Sequence, residues 1–284
     1  MAAPAHASPR ENADLHDVDG LIVLVGAGKM GGGLLEGWLR GGLDPNRVAI
    51  LEPNPAPQIA ALGARGVRLN PSIASLGHAA ALVIAVKPQV APQVVPTLAP
   101  LVGASTIVVS IMAGRTLSSL AGALPRDAAV ARAMPNLPAA IGRGISVAVA
   151  QRTSTAQRAL AQKLLAAAGP VEWVEDESLL DAVTAVSGSG PAYVFLLAEA
   201  LAQAGVAAGL PAPLAAKLAR ETVAGAGELL HRSTLEAATL RENVTSPDGT
   251  TAAALEVLGG KDGMAMLMTK AVAAAAKRSR ELAG

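Results

Sequence analysis

The sequence predicts an α/β chain in two parts: a doubly wound parallel sheet up to residue 175, then an all-helical region. Three observations carry that prediction. Short apolar runs alternate with helical stretches from 21 to 174, as in a sheet covered by helices on both faces. One strand passes into a helix through a glycine-rich turn, Leu21-Ile-Val-Leu-Val-Gly-Ala-Gly-Lys-Met-Gly-Gly-Gly33. From residue 178 onward the apolar spacing is almost entirely helical. The 284 residues suffice for two domains with separate cores. The expected division is a disordered leader over 1–19, a dinucleotide-binding domain over 20–175 and a helical domain over 176–284.

Within the turn, Gly26, Gly28 and Gly31 fit the G-x-G-x-x-G spacing. The first glycine opens the turn, the second lets backbone approach a pyrophosphate, and the third lets the helix pack on the strand. The phosphates would then meet the positive end of a helix beginning near Lys29 and Met30. A plain strand-to-helix turn would use the same order. The motif therefore names a cofactor class and no reaction.

The helix continues through Leu34 to Arg40 and stops at Gly41-Gly42. Val48 to Leu51 reads as the second strand, ending in Glu52-Pro53-Asn54. An acid about 20 residues beyond such a turn accepts hydrogen bonds from the adenosine ribose, and Glu52 stands at that distance. Its charge would oppose an added 2′-phosphate by about 1 to 4 kcal/mol for unit charges about 4 Å apart. Glu52 thus leans toward NAD, unless it is simply an exposed strand-end acid.

Ala81 to Val86 is a continuous apolar run, suited to a strand buried on both faces. Open parallel sheets place ligands at the carboxyl ends of their strands, so the backbone of Val86, Lys87 and Pro88 is expected near the cofactor. Further strands are expected at Thr106–Ser110, Ala128–Ala133, Ile145–Val149 and Val171–Val174. Thr116 is a candidate helix cap. Ser154 with Gln157 and Ser233 with Glu236 have capping-box spacing.

Composition excludes several chemistries. The chain has no cysteine, which removes disulfides, thiolate nucleophiles and cysteine-ligated zinc. Its four histidines form no i, i+4 pair, so no metal site is expected. A net charge of +1 gives no electrostatic case for nucleic acid or an anionic membrane. The 51% hydrophobic content comes largely from alanine, and Gly190 to Leu210 reads as a buried helix rather than a membrane span. The first 19 residues have no apolar core of a signal peptide, which makes the cytoplasm the expected location.

In the second half, Asp181-Ala-Val-Thr-Ala-Val-Ser-Gly-Ser-Gly-Pro-Ala-Tyr193 starts a helix, breaks it at the Ser/Gly run and restarts it at Pro191. Pro191 to Ala208 follows as a helix, and its apolar character predicts an extensive partner interface. Thr245-Ser-Pro-Asp-Gly249 is a turn. After it, the N–H groups of Thr250 and Thr251 begin a helix and can bind a carboxylate. An ordinary capped helix is the alternative there.

The chain strongly resembles pyrroline-5-carboxylate reductases over residues 20 to 284. The resemblance rests on Val25-Gly-Ala-Gly-Lys-Met30, Ala85-Val-Lys-Pro-Gln89, Met134-Pro-Asn136, the signature from Asp181 to Tyr193 and Asn243-Val-Thr-Ser-Pro-Asp-Gly-Thr-Thr251. It implies a Rossmann domain followed by a helical dimerisation domain, with the active site where two chains of a homodimer or larger oligomer meet. It also implies reduction of Δ1-pyrroline-5-carboxylate to L-proline by NADPH or NADH. By the same resemblance, Thr250 and Thr251 hold the substrate carboxylate, with Ser246 and Gly249 shaping the loop. Glu177 contacts the ring near its nitrogen and would favour the iminium, and Asn243 contacts the nicotinamide half of the cofactor.

Asp248 stands where the family commonly has glycine and is expected to face solvent. No residue is singled out as a general acid or base. A related imine or 3-hydroxyacid dehydrogenase shares the two-domain plan, but the hydroxyacid enzyme would want a lysine acid that Tyr193 to Gln203 lacks. A noncatalytic nucleotide-binding sensor is the remaining alternative.

Overall fold

The structure, a computed structural model, describes residues 14–283. The described residues divide into a sheet unit, 14–188 with 275–283, and a helical unit, 189–274. The sheet unit runs past the expected boundary at 175, and residues 275–283 also fall within it. Most of the expected leader lies outside the described residues. Its last part is not a free tail: Leu15 and Val18 are buried in the sheet unit's core, and the Leu15 amide donates to the Gly41 carbonyl.

Eight strands form one sheet: β1 (Ile22–Val25), β2 (Val48–Leu51), β3 (Arg68–Leu69), β4 (Ala81–Ile84), β5 (Ile107–Ser110), β6 (Ala129–Pro135), β7 (Ser146–Gln151) and β8 (Val171–Trp173). The order is β3-β2-β1-β4-β5-β6-β7-β8. The winding reverses between β1 and β4, which is where an open α/β sheet leaves a crevice at its carboxyl edge. Two features of the sheet depart from the expectation. The edge strand β3 is too short to leave a periodic signal. β6 and β7 pair antiparallel, because the connection between them has no crossover helix.

The sheet unit's helices are α1 (Lys29–Arg40), α2 (Pro57–Ala60), α3 (Ala91–Val94), α4 (Leu117–Gly122), α5 (Thr155–Ala166) and α6 (Leu179–Val183). One apolar core lies on each face of the sheet. The first includes Leu24, Leu34, Trp38 and Leu164, and the second includes Val23, Leu82, Leu98 and Leu180. Trp38 locks α1 to α5 by donating its indole N–H to the Leu164 carbonyl at 2.8 Å. Thr116 caps α4, and Ser154 and Gln157 make both bonds of the capping box on α5.

The Ser/Gly run does not break the chain as expected. Thr184–Gly188 winds as a π-helix instead, with Thr184 and Ser187 hydroxyls bonded back to the Leu180 and Val183 carbonyls. This keeps the backbone donors and acceptors satisfied while the helix widens.

The helical unit contains α7 (Gly190–Ala207), α8 (Ala212–Arg232), α9 (Ala237–Asn243), α10 (Thr250–Leu258) and the first part of α11 (Met264–Ala283). α7 packs on α8, with Gly205 facing Ala215. Ser233 makes a local turn with the Leu235 amide rather than the expected capping box, and Glu236 occupies the cap position of α9 without a side-chain bond.

Gly190 to Leu210 is likewise not the buried helix expected. No residue of α7 is buried within one chain, and Phe195 and Leu196 are 56% and 64% exposed. The combined helix Leu179–Ala207 contains a stretch with a mean hydropathy of 1.3 and is long enough to cross a membrane.

Candidate active site

Seven of the expected cofactor residues surround the crossing of β1, α1 and β2. Gly26 adopts φ +91, and a Cβ there would lie 2.8 Å from the Ala85 carbonyl oxygen. Only glycine fits both constraints. The amide of Gly26 donates to the Leu51 carbonyl at 2.9 Å, tying the turn to the end of β2. Gly31 presses helix against turn, since a Cβ there would come within 2.2 Å of the Gly26 oxygen.

Gly28 differs in kind. It caps α1 with no side-chain bond, and a Cβ on it would meet nothing within 4 Å. Packing within the chain does not require glycine at Gly28, and the first turn of α1 offers unsatisfied amides beside it. That open cradle fits a dinucleotide pyrophosphate. Lys29 is exposed at the start of α1, and Met30 packs against the core.

Ala27 and Glu52 meet directly. The Ala27 amide donates to Glu52 Oε2 at 3.0 Å, and the Asn54 amide donates to Glu52 Oε1 at 3.1 Å. Val86 reaches the same turn, its nitrogen lying 3.0 Å from where a Gly26 Cβ would be. Lys87 is exposed and Pro88 half-buried. The Pro88 carbonyl accepts from Arg115 Nη2 at 2.7 Å, which fixes the loop after β4.

Glu177 belongs to the sheet unit and is not part of a solvated acidic linker. Its Oε1 accepts from Arg132 Nη1 and from the Leu117 amide at the start of α4, both at 2.8 Å. The Arg132 side chain is 7% exposed and that of Glu177 is 27% exposed. Beside it, Asp176 accepts from the Ser178 hydroxyl and amide, and these bonds hold its carboxyl below the ordinary aspartate range. Asn136 accepts from the Ile145 amide at 2.9 Å and braces the β6–β7 connection.

Arg132, Asn70 and Arg115 were not identified from sequence. A charged residue inside the apolar strand Ala128–Ala133 was a signal for Arg132, because a buried guanidinium demands a partner. Asn70 and Arg115 lie in connections with no periodicity, so their contacts depend on tertiary placement.

In the helical unit, Gly249 is the cap residue of α10 and carries no side-chain bond. A Cβ at Gly249 would fall 2.5 Å from Ser246 Oγ, so the serine closes over the glycine. Thr250 and Thr251 open α10, and their early amides have no intrahelical acceptor. Asp248 is exposed and holds φ +58, the left-handed conformation that glycine adopts without strain. Asn243 is the exposed last residue of α9.

Comparison with known proteins adds identity to this geometry. A family model described as pyrroline-5-carboxylate reductase dimerisation matches residues 177–282. A second, described as NADP oxidoreductase, coenzyme F420-dependent, matches 21–114. The pyrroline-5-carboxylate reductase of Pseudomonas aeruginosa is 38% identical over 264 residues, covering 92% of this chain and 96% of its own.

The chain belongs to the pyrroline-5-carboxylate reductase family.

The Pisum sativum member is 40% identical over 261 residues, covering 91% of this chain and 94% of its own. Among solved structures, the pyrroline-5-carboxylate reductase of Coxiella burnetii superposes with a TM-score of 0.85 at 31% identity, covering 93% of this chain and 98% of that one. The Plasmodium falciparum pyrroline carboxylate reductase, solved with NADP bound, has a TM-score of 0.78 at 26% identity, with 94% and 99% covered. The two matched regions contain the glycine turn and the start of α10.

Proposed function

We propose that this chain catalyses reduction of Δ1-pyrroline-5-carboxylate to L-proline in the cytoplasm, as the last step of proline biosynthesis. Within the family, the observation that carries this reading is the start of α10. Its cap is a glycine that makes no side-chain cap bond, and Thr250 and Thr251 present the first amides of the helix. A small carboxylate supplies what that helix end lacks.

NADH or NADPH, when bound at the glycine turn, supplies the hydride that reduces the imine carbon. Thr250 and Thr251 hold the ring through its carboxylate, with Ser246 closing the loop over Gly249. Glu177 acts on the ring nitrogen. Arg132 and the Leu117 amide both occupy its Oε1, so Oε2 is the acceptor left for a protonated imine. The proton already on that nitrogen stays in the product amine. Catalysis is then mainly orientation and electrostatic stabilisation, and no strong general acid is required.

A second copy of the chain completes the protein. Among the described residues of the helical unit only Ala215 and Ala219 are buried, far too few to form a core. The family match over 177–282 accounts for this surface as a dimerisation region.

Following nicotinamide absorbance with the cyclic imine tests the activity. Oxidation of the cofactor dependent on the imine, with L-proline as product, is expected. Cofactor binding without turnover would instead identify a nucleotide sensor.

A further inference from the structure

The cofactor-facing end of β2 holds more than the acidic residue seen in the sequence. Glu52 is half-buried, and both its carboxylate oxygens are engaged by backbone amides, Oε2 by Ala27 of the glycine turn and Oε1 by Asn54. The carboxylate therefore has a fixed place beside the turn and does not swing free in solvent. Its backbone is fixed as well. Asn70, just beyond β3, accepts from the Glu52 amide with Oδ1 at 2.8 Å and donates from Nδ2 to the Glu52 carbonyl at 2.9 Å. Asn70 holds φ +46 to make this pair of bonds, and its own amide donates to Ile50. A non-glycine residue in that conformation is maintained against a local cost.

These contacts discriminate between two cofactor chemistries. A free ribose 2′-hydroxyl is a donor, and a carboxylate is acceptor-only, so the two are complementary. A 2′-phosphate presents acceptor oxygens and negative charge, so it meets a carboxylate with no donor between them. The Ala27 amide, a donor suited to a phosphate, is already bonded to Glu52. Among the described residues, no lysine or arginine pairs with Glu52 to offset its charge.

We propose that this chain is selective for NADH over NADPH, with Glu52 the specificity-determining residue and Asn70 the positioning residue that sets it. This rests on the dinucleotide-binding part of the proposed function and departs from the NADP seen in the Plasmodium falciparum relative.

The test is a fluorescence titration of the full chain with NADH and with NADPH, without imine, alongside kcat/KM for each cofactor. The wild type is expected to bind NADH at least about tenfold more tightly, about 1.4 kcal/mol. Glu52→Gln keeps an oxygen for the Ala27 amide but removes the charge, and it should bring the two affinities to within about threefold. Asn70→Gly keeps the backbone conformation and removes both side-chain bonds. It should lower the NADH to NADPH ratio, which a purely structural loss would leave unchanged.

Equal or tighter binding of NADPH by the wild type, or a ratio unmoved by Glu52→Gln, overturns the proposal. Selective NADH binding without imine turnover would sustain it while removing the reductase reading. Binding of neither cofactor removes both.

Discussion

Two glycines three residues apart illustrate how different constraints produce the same residue. Gly31 has no room: the nearest atom to an added Cβ is a backbone oxygen at 2.2 Å, and backbone cannot rotate away as a side chain can. Gly31→Ala should gain about 1 kcal/mol in helix propensity but lose about 3 kcal/mol to overpacking. The net loss of about 2 kcal/mol should be measurable by urea denaturation. Gly28 has open space around it and an ordinary φ of −69. Gly28→Ala should leave stability within about 1 kcal/mol of wild type while weakening NADH binding at least about tenfold. If Gly28→Ala binds normally, the open space at the turn is not where the pyrophosphate lies. The G-x-G-x-x-G spacing was legible in sequence, but which glycine serves packing and which leaves room for a ligand was not. That distinction depends on Ala85, just beyond β4, and on the turn itself. The same holds for Glu177, whose acidity was visible but whose buried partner Arg132 lies 45 residues earlier in the chain.

At the scale of elements, legibility followed the length of the periodic signal. Seven strands were readable, six of them from runs of buried apolar residues and β8 from the partly buried Val171 and Trp173, whereas the two-residue β3 was not. Local cap chemistry was legible only where the hydroxyl had a free helix end to serve. Ser154 meets that condition: it accepts from Gln157 N, and the Gln157 side chain accepts from Ser154 N. Gln157 further donates to the Ala104 and Thr106 carbonyls, joining α5 to the approach of β5. Ser154→Ala should therefore cost about 1 kcal/mol as a lost cap, read as a lower denaturant midpoint with an unchanged m-value. Ser233 has the same spacing to Glu236, yet its hydroxyl is used in a turn before α9 begins. Ser233→Ala should consequently cost no more than about 0.5 kcal/mol.

For the whole molecule, the decisive fact is the imbalance between the two units. The sheet unit buries two apolar layers, while the helical unit leaves Val194, Phe195, Leu196, Leu197 and Leu201 of α7 uncovered. The sequence showed that α7 was apolar but not what covers it, since periodicity reports that a surface must be buried and not which chain buries it. A long apolar helix could meet that need in a lipid bilayer or against another protein. Glu199 and Gln203 on the same helix are costly in lipid but tolerable at the rim of a protein interface. Self-association is therefore the expected state, and sedimentation should find a dimer or larger species for the wild type. Leu196→Glu places a charge on a residue 64% exposed in the single chain, so it should be nearly neutral for an isolated monomer. In an apolar interface the same charge would be unpaired and desolvated in both copies, at about 2 kcal/mol or more per site. Dissociation should then fall within the micromolar range accessible to sedimentation, and activity should fall with dilution in step with the oligomer. A variant that stays associated, or a wild type that is monomeric and fully active, would exclude α7 from the interface.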